Sequence, residues 1–305
     1  MTQPRLVDQR KVKDVRFQNE RLSALGIELM SLSSLRSRVS AARLTQPERV
    51  DFFMLMLITS AKGSHRVDFK DWPLIPGSLL FVRPGQVQQW QPDGQYEAQL
   101  ILIAPSAFPY RNGVATPREL DHLALDDWQT CISMPAPATQ EVEEDLSRLR
   151  RDFDRFEAGD LDIALIRHEL MALLVRLAKL QQAMAGSLVR KSRRPTYRIF
   201  QRELETSFKH QHSLAYYAKR LGYAQSTISR ACLAAEGRSA KQVIDRRIAL
   251  EAQRLLVHSA ASVAEVAHQL GFSEATNFVK FFQRMIGLAP SVFRKTGMAS
   301  IRDHR

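Results

Sequence analysis

The spacing of apolar residues changes along the chain and divides it into regions. Between about residues 22 and 134, short apolar or alternating runs such as DFFMLMLI, GSLLFV and YEAQLILI are broken by the turn-forming pairs Pro76-Gly77 and Pro84-Gly85. This pattern predicts β-strands joined by turns, in a small sandwich or barrel. Between about Thr139 and Met184 leucines recur at helical spacing, and from Thr196 onward the whole pattern is helical.

The last helical region contains an internal repeat. Ser213 to Tyr223 (SLAYYAKRLGY) matches Ser262 to Phe272 (SVAEVAHQLGF), 49 residues further on. In each copy a serine is placed to cap a helix and a Leu-Gly pair to end it, and a second helix follows at roughly residues 225–235 and 274–286. A helix, a short glycine turn and a second helix form the helix-turn-helix motif, whose second helix enters the major groove of DNA. One copy would also fit an ordinary all-α core, whereas two copies favour DNA binding.

The charge of the chain is concentrated in the same region. The formal net charge is +12, and residues 188–305 carry 21 Lys and Arg against 8 Asp and Glu, whereas residues 1–187 are almost neutral. A basic domain beside a neutral one is typical of binding to the phosphate backbone of a nucleic acid. A basic surface that serves only solubility is the alternative on charge alone.

Further residues between about 200 and 295 complete a family pattern. They are Ser213-Leu214, Ala218, Leu221-Gly222-Tyr223, Ser229-Arg230, Gly237, Ser239, Ala252, Leu255-Leu256, Ser262-Val263, Ala267, Leu270-Gly271-Phe272, Asn277-Phe278, Phe281-Phe282, Gly287, Pro290 and Phe293-Arg294. This pattern resembles the DNA-binding domain of the AraC/XylS family of transcription regulators, which implies sequence-specific binding to double-stranded DNA. The chain departs from the family at Ala240, where proline is usual, and at Ile248, where arginine is usual.

Base edges are read by polar or cationic side chains near the start of a recognition helix. The candidates are Gln225, Ser226, Thr227, Ser229 and Arg230 in the first unit and Glu274, Ala275, Thr276, Asn277 and Lys280 in the second. The resemblance implies base contacts for Ser226, Ser229, Arg230, Ala275, Thr276, Asn277 and Lys280. Ser226 would also fit a helix cap, and Arg230 and Lys280 would also fit phosphate contacts. Generic phosphate-contact candidates are Arg202, Lys219, Arg220, Lys241, Arg246, Arg247, Arg284 and Lys295.

The N-terminal region resembles the cupin-like sensor domain of many members of this family, most closely over residues 74–88 (LIPGSLLFVRPGQVQ). The predicted fold is therefore α+β and multidomain: an N-terminal cupin-like β-barrel followed by helices, then a C-terminal all-α tandem helix-turn-helix domain. Cupin enzymes hold a transition metal with histidines on these strands. Here Gln88 stands at the strand-end histidine position, and Glu48 and Val50 stand at the HxH pair. His65 is alone and fits a structural histidine, so we expect no metal, no cofactor and no enzymatic activity.

The resemblance also implies a small-molecule effector bound in the N-terminal domain. The candidate effector contacts are Arg49, Phe53, Arg66, Phe81, Arg83, Gln88 and Trp90. Any of the three arginines would suit a carboxylate on an acidic effector. A core filled by the domain's own side chains is the alternative.

Four segments follow from these patterns. We predict a sensor domain over residues 20–135, a helical dimerisation segment over 136–186, a basic linker over 187–195 and a DNA-binding domain over 196–297. The two helix-turn-helix units lie at about residues 213–235 and 262–286. A homodimer is expected, although the helices of the second segment would also suit packing against the barrel alone. RNA polymerase is a further candidate partner.

The remaining sequence features concern the compartment. Cys131 and Cys232 are isolated and form no disulfide framework, and the charged N-terminus lacks the apolar stretch of a signal peptide. The longest strongly apolar run, Phe52 to Ile58, is too short to cross a bilayer. We therefore expect a cytoplasmic, ligand-responsive transcription activator without a membrane partner. The alternatives are a regulator without an effector and a cupin enzyme fused to a DNA-binding tail.

Overall fold

The computed structural model forms two compact units, residues 13–184 and residues 195–300. It describes residues 13–18, 22, 24–40, 44–91, 95–107, 110–111, 114–115, 123, 125, 128–184 and 195–300. The predicted linker, residues 187–195, lies outside the described residues except for Pro195. Among the described helices, none is long and apolar enough to cross a membrane.

The first unit contains every strand among the described residues. They are β1 (Lys13–Val15), β2 (Ile27–Ser31), β3 (Glu48–Val50), β4 (Phe53–Lys62), β5 (Ser64–Val67), β6 (Lys70–Pro73), β7 (Ser78–Val82), β8 (Val87–Trp90), β9 (Gln95–Ile103), β10 (Tyr110–Arg111), β11 (Val114–Ala115) and β12 (Cys131–Ser133). The helices of this unit are α1 (Leu32–Arg38), α2 (Ala136–Asp154) and α3 (Asp160–Met184).

The first unit contains two five-stranded sheets. One has the strand order β1-β3-β8-β5-β6, and the other has the order β12-β7-β4-β9-β2; β10 and β11 pair separately. All pairings are antiparallel except β1 with β3. The mixed α+β class is confirmed, but the sheets are not closed into the predicted barrel. A barrel needs a partner on both sides of every strand, and here β2, β12, β1 and β6 each have one neighbour among the described strands.

The β4 sheet is buried on both faces. On one face Met54, Met56 and Ile58 of β4 pack with Val67 and Trp90 of the facing sheet, which forms the core between the sheets. On the other face Leu55, Leu57, Phe81 and Ile101 pack against Leu149 and Leu170 of α2 and α3. Side chains alternate along a strand, so neighbouring residues of β4 belong to different cores.

The second unit is all helical in its described residues. Its helices are α4 (Pro195–Ser207), α5 (Leu214–Leu221), α6 (Gln225–Glu236), α7 (Ala240–His258), α8 (Val263–Gln269), α9 (Ala275–Ile286) and α10 (Pro290–Ser300). The helix α7 is central: it contacts α5, α6, α8, α9 and α10. Ile248, which stands where the family usually has arginine, is wholly buried in this core. It is therefore a core residue.

Both repeats fold in the same way. Ser213 caps α5 by accepting from the Tyr216 amide, and Ser262 caps α8 by accepting from the Glu265 amide. Each first helix closes with the same hydrogen bond, from the amide of Tyr223 to the Ala218 carbonyl and from the amide of Phe272 to the Ala267 carbonyl, both 3.0 Å. These bonds require a left-handed residue in the turn, which Gly222 and Gly271 supply at φ +69° and +73°.

Candidate nucleic-acid interface and ligand site

The first recognition helix is α6. Its N-cap is Ala224, which makes no side-chain capping bond, so the interpretation of Ser226 as the cap is wrong. Gln225, Ser226 and Arg230 are exposed, and Thr227 and Ser229 are partly buried. Ile228, Ala231 and Cys232 anchor the opposite face in the core.

The second recognition helix is α9. Its N-cap is Glu274, whose carboxylate accepts a 3.1 Å hydrogen bond from Thr276 Oγ1. Thr276, Asn277 and Lys280 are exposed, and Ala275 is partly buried. Phe278, Phe281 and Phe282 hold the helix against the core.

The buried faces of α6 and α9 show which residues of the two recognition helices correspond. The offset between the second helices is 50: Ile228 and Cys232 are equivalent to Phe278 and Phe282, and the left-handed C-cap Gly237 is equivalent to Gly287. The first helices keep the offset of 49. One extra residue therefore lies in the second turn. The equivalent exposed pairs are Ser226 with Thr276, Arg230 with Lys280 and Leu233 with Gln283.

Leu233 and Gln283, which the sequence prediction did not name, share these exposed faces. Both are exposed on their recognition helices. Leu233 lies seven residues after Ser226, and Gln283 lies seven residues after Thr276. This helical spacing puts Leu233 on the face of Arg230 and Gln283 on the face of Lys280, and it is visible in the sequence.

The eight predicted phosphate-contact residues differ in their exposure to solvent. Arg202, Lys219, Arg220, Lys241, Arg246, Arg284 and Lys295 are exposed, as a phosphate contact requires. Arg247 is not: its side chain is 16% exposed, its guanidinium lies 3.8 Å from the Phe208 ring centroid, and it pairs with Glu205 at 2.8 Å and Glu251 at 3.3 Å. Arg247 therefore links α7 to α4 through these contacts and is not free to bind phosphate in the way the exposed residues are.

The predicted effector contacts do not form one site. Phe53 and Phe81 stack with ring centroids 5.9 Å apart on the helix side of the β4 sheet. Gln88 and Trp90 lie on the opposite side of that sheet, in the core between the sheets. The predicted contacts are separated because side chains alternate along β4 and β7 and both faces of these strands are apolar.

The three predicted arginines also point elsewhere. Arg49 pairs in register with Val87, and Arg66 with Gln89, which places both on the outer face of their sheet. Arg66 makes two hydrogen bonds to Asp71, at 2.6 and 2.7 Å. Arg83 donates to the carbonyls of Leu125, at 3.1 Å, and Trp128.

A buried polar cluster does lie between the sheets. It consists of His65, Gln88, Trp90 and Tyr96, each at least 96% buried. His65 Nδ1 is 3.0 Å from the Tyr96 hydroxyl, and the His65 and Trp90 ring centroids are 4.8 Å apart. Gln88 Nε2 donates to the Glu48 carboxylate at 3.2 Å.

Three buried polar atoms of this cluster make no hydrogen bond of good geometry: His65 Nε2, Gln88 Oε1 and Trp90 Nε1. Burial lowers the pKa of the His65 imidazole to about 4, against a smaller opposing effect of the Gln88 side chain, so the ring is neutral at pH 7. The cluster therefore offers neutral donors and acceptors beside aromatic walls. No group of three or more potential metal ligands occurs among the described residues.

A two-sheet domain with an internal polar cluster, joined to a basic domain with two exposed recognition helices, defines a DNA-binding transcription regulator with a separate ligand-binding domain. Residues 35–174 match the family model for the AraC-like ligand binding domain, and residues 217–296 match that for a helix-turn-helix domain. The chain belongs to the AraC family of transcription regulators, which confirms the family and the function predicted from the sequence.

Proteins of known name are similar to this chain over different shares of its length. The HTH-type transcriptional activator RhaS of Pectobacterium carotovorum is 22% identical over 245 residues, which are 80% of this chain and 85% of RhaS. Among solved structures, ToxT from Vibrio cholerae covers 88% of this chain and 97% of its own at 11% identity and a TM-score of 0.40. The C-terminal domain of AraT, a response regulator from Geobacillus stearothermophilus, covers 34% of this chain and 86% of its own at 21% identity and a TM-score of 0.33.

Proposed function

We propose that the protein is a ligand-responsive activator of transcription that reads promoter DNA with α6 and α9. The observation that carries the proposal is the matched exposed face of the two helices, Ser226 and Arg230 on one and Thr276 and Lys280 on the other. The remaining candidates flank these faces at the helix starts. They are Gln225, Thr227 and Ser229 on α6 and Glu274, Ala275 and Asn277 at α9. Activation, rather than repression, is supported by the similarity to the activator RhaS.

The test is a gel-shift series on the preferred duplex and a scrambled one at physiological salt. Arg230→Ala is expected to weaken binding to the preferred duplex about 5- to 150-fold, the range of one bidentate guanine contact, and to weaken random binding much less. Arg202→Ala, which removes an exposed charge outside the recognition helices, is the control and should weaken both alike. Equal affinity of the unmodified protein for both duplexes would overturn the proposal.

The effector site that we propose is the buried polar cluster of His65, Gln88, Trp90 and Tyr96. A buried donor or acceptor without a partner costs about 1–3 kcal/mol, so a ligand that bonds these three atoms would recover that free energy. Arg36 lies 5.6 Å from the Tyr96 ring centroid, but its charge is paired with Glu97 at 2.9 Å. Glu48 beside Gln88 is acidic, so the ligand that we propose is a neutral polar molecule rather than the acidic effector that the sequence suggested.

Thermal shift and tryptophan fluorescence test this site against panels of neutral polyols, alcohols and amides and of carboxylates. A binding ligand raises the melting temperature by mass action, and Gln88→Leu should abolish the response. The outer-face variant Gln89→Leu is the matched control and should retain it. A carboxylate response, or no response to either panel, would contradict the proposal; the second result favours a regulator without an effector.

A homodimer is part of the proposal. Along α3, Leu161, Leu165 and Val175 are 85%, 48% and 44% exposed and fall on one face at spacings of four and ten residues, which suits a second copy of the same helix. Leu165→Asp should convert the dimer to a monomer in analytical ultracentrifugation, whereas Glu141→Lys on the exposed face of α2 should not. A monomeric parent protein, or a dimer that tolerates Leu165→Asp, would overturn this part.

The remaining assignments complete the proposal. The segments 20–135, 136–186, 187–195 and 196–297 act as sensor, dimerisation segment, linker and DNA-binding domain. We place the protein in the cytoplasm with its DNA, and RNA polymerase is the partner through which an activator would act. The sensor domain is not an enzyme in this proposal, because Gln88, Glu48 and Val50 replace the histidines of cupin enzymes. Stoichiometric metal in the purified protein would contradict that assignment.

A further inference from the structure

The feature that carries a further inference is Leu233 on the first recognition helix. Its side chain is 61% exposed, although it belongs to a helix whose opposite face is fully buried at Ile228 and Cys232. At 3.6 residues per turn, Ser226, Arg230 and Leu233 fall within about 60° of one another around α6. Leu233 therefore lies on the exposed face beside Ser226 and Arg230, about 100° from Cys232 and about 140° from Ile228 around the helix axis.

The other exposed large apolar residues of this unit do not share that position. Ile199 lies on α4, Leu288 lies between α9 and α10, and Val292 lies on α10. Of the exposed apolar side chains in residues 195–296, Leu233 is the one that a recognition helix presents beside its base-reading candidates.

Leu233 is the ninth of the twelve residues of α6, beyond the helix start, and it follows Arg230 on the same face. It lies three residues after Arg230, about 4.5 Å further along the axis, and one base-pair step is about 3.4 Å. A leucine has no hydrogen-bonding group and is not attracted by phosphate. The apolar group that DNA offers in the major groove is the C5-methyl of thymine.

We propose that Leu233 is a specificity-determining residue that selects thymine beside the base pair contacted by Arg230. The inference rests on the proposed function, since it takes α6 to lie in the major groove. Gln283 occupies the equivalent place on α9 and presents an amide, which suits adenine. The two units, which are repeats of each other, would thus read different base chemistry at the same position.

The experiment removes the thymine methyl groups one at a time. The full-length protein first selects its preferred duplex from a random-sequence pool. Each thymine of that duplex is then replaced by deoxyuridine, which pairs identically but lacks the methyl, and affinities are measured by fluorescence anisotropy at about 0.15 M salt. Leu233→Ala and Gln283→Ala are measured on the same duplexes after circular dichroism has shown that both are folded.

The unmodified protein should lose about fourfold in affinity at one thymine in the α6 half-site, the effect of one methyl group. Leu233→Ala should bind the thymine and uracil duplexes equally at that position, and Gln283→Ala should keep the fourfold difference there. A uracil penalty that survives in Leu233→Ala, or no penalty at any α6 half-site thymine, would overturn the inference while leaving the proposed function intact. Failure of the pool to yield any preferred sequence would overturn both.

Discussion

Gly271 and Gly222 occupy the same turn of the two repeats but differ in their surroundings, and this difference predicts unequal responses to alanine. Both have positive φ, +73° and +69°. A Cβ at Gly271 would lie 2.6 Å from the Lys209 carbonyl oxygen and 3.0 Å from His210 Cα, whereas nothing lies within 4 Å of a Cβ at Gly222.

The magnitudes follow from two separate terms. Left-handed backbone costs an alanine about 1 kcal/mol at either site. Only Gly271→Ala must also displace the backbone between α4 and α5, and such overpacking costs about 1–3 kcal/mol more. For a domain of this size each kcal/mol corresponds to a fall of about 4–8 °C in Tm.

Hydrogen exchange followed by mass spectrometry measures these losses in the full-length protein. Amide protection in residues 195–300 should fall by the larger amount in Gly271→Ala and by the smaller amount in Gly222→Ala. The three tryptophans, Trp72, Trp90 and Trp128, all lie in the first unit, so urea unfolding followed by tryptophan fluorescence should be unchanged in both variants and serves as the internal control. Equal losses of protection in the two variants would refute the argument from close approach.

Two further predictions concern the two units separately. His65 has a folded-state pKa of about 4, below the unfolded value of 6.5, so the unfolded state takes up more protons between these values. The unfolding free energy of the first unit should therefore fall by about 2 kcal/mol from pH 7 to pH 5, measured by tryptophan fluorescence in urea, and His65→Gln should remove most of this dependence; an unchanged slope in that variant would contradict it. In the second unit, Ser262 Oγ accepts the Glu265 amide at 3.2 Å, so Ser262→Ala should cost about 1 kcal/mol in hydrogen-exchange protection, and Ser262→Asp should recover it; no difference between the two variants would argue against the cap.

The repeats were readable from the sequence because their signals are local. Ser213, Ser262 and the two turn glycines act within one helix, and the structure places each of them as predicted. The recognition helices also begin within one residue of the predicted positions, at Gln225 and Ala275, although their N-caps, Ala224 and Glu274, make no side-chain capping bond.

The effector contacts could not be predicted from the sequence, because they depend on whether a strand face packs against the helices or against the other sheet. The run DFFMLMLI has no alternation of polar and apolar residues, since Leu55 and Leu57 pack on helices while Met54 and Met56 pack on the other sheet. The outward direction of Arg49 and Arg66 follows from their pairing with β8, a contact between residues distant in sequence. Such register information is absent from a single strand's pattern.

The central claim is that both recognition helices bind one DNA site in a sequence-dependent way. Hydroxyl-radical footprinting of the selected duplex with the full-length protein tests it most directly. We expect two protected patches about one helical turn (~34 Å) apart on one face of the DNA, with Arg230→Ala exposing one patch and Lys280→Ala the other. A single patch, or the same protection on a scrambled duplex, would contradict the claim.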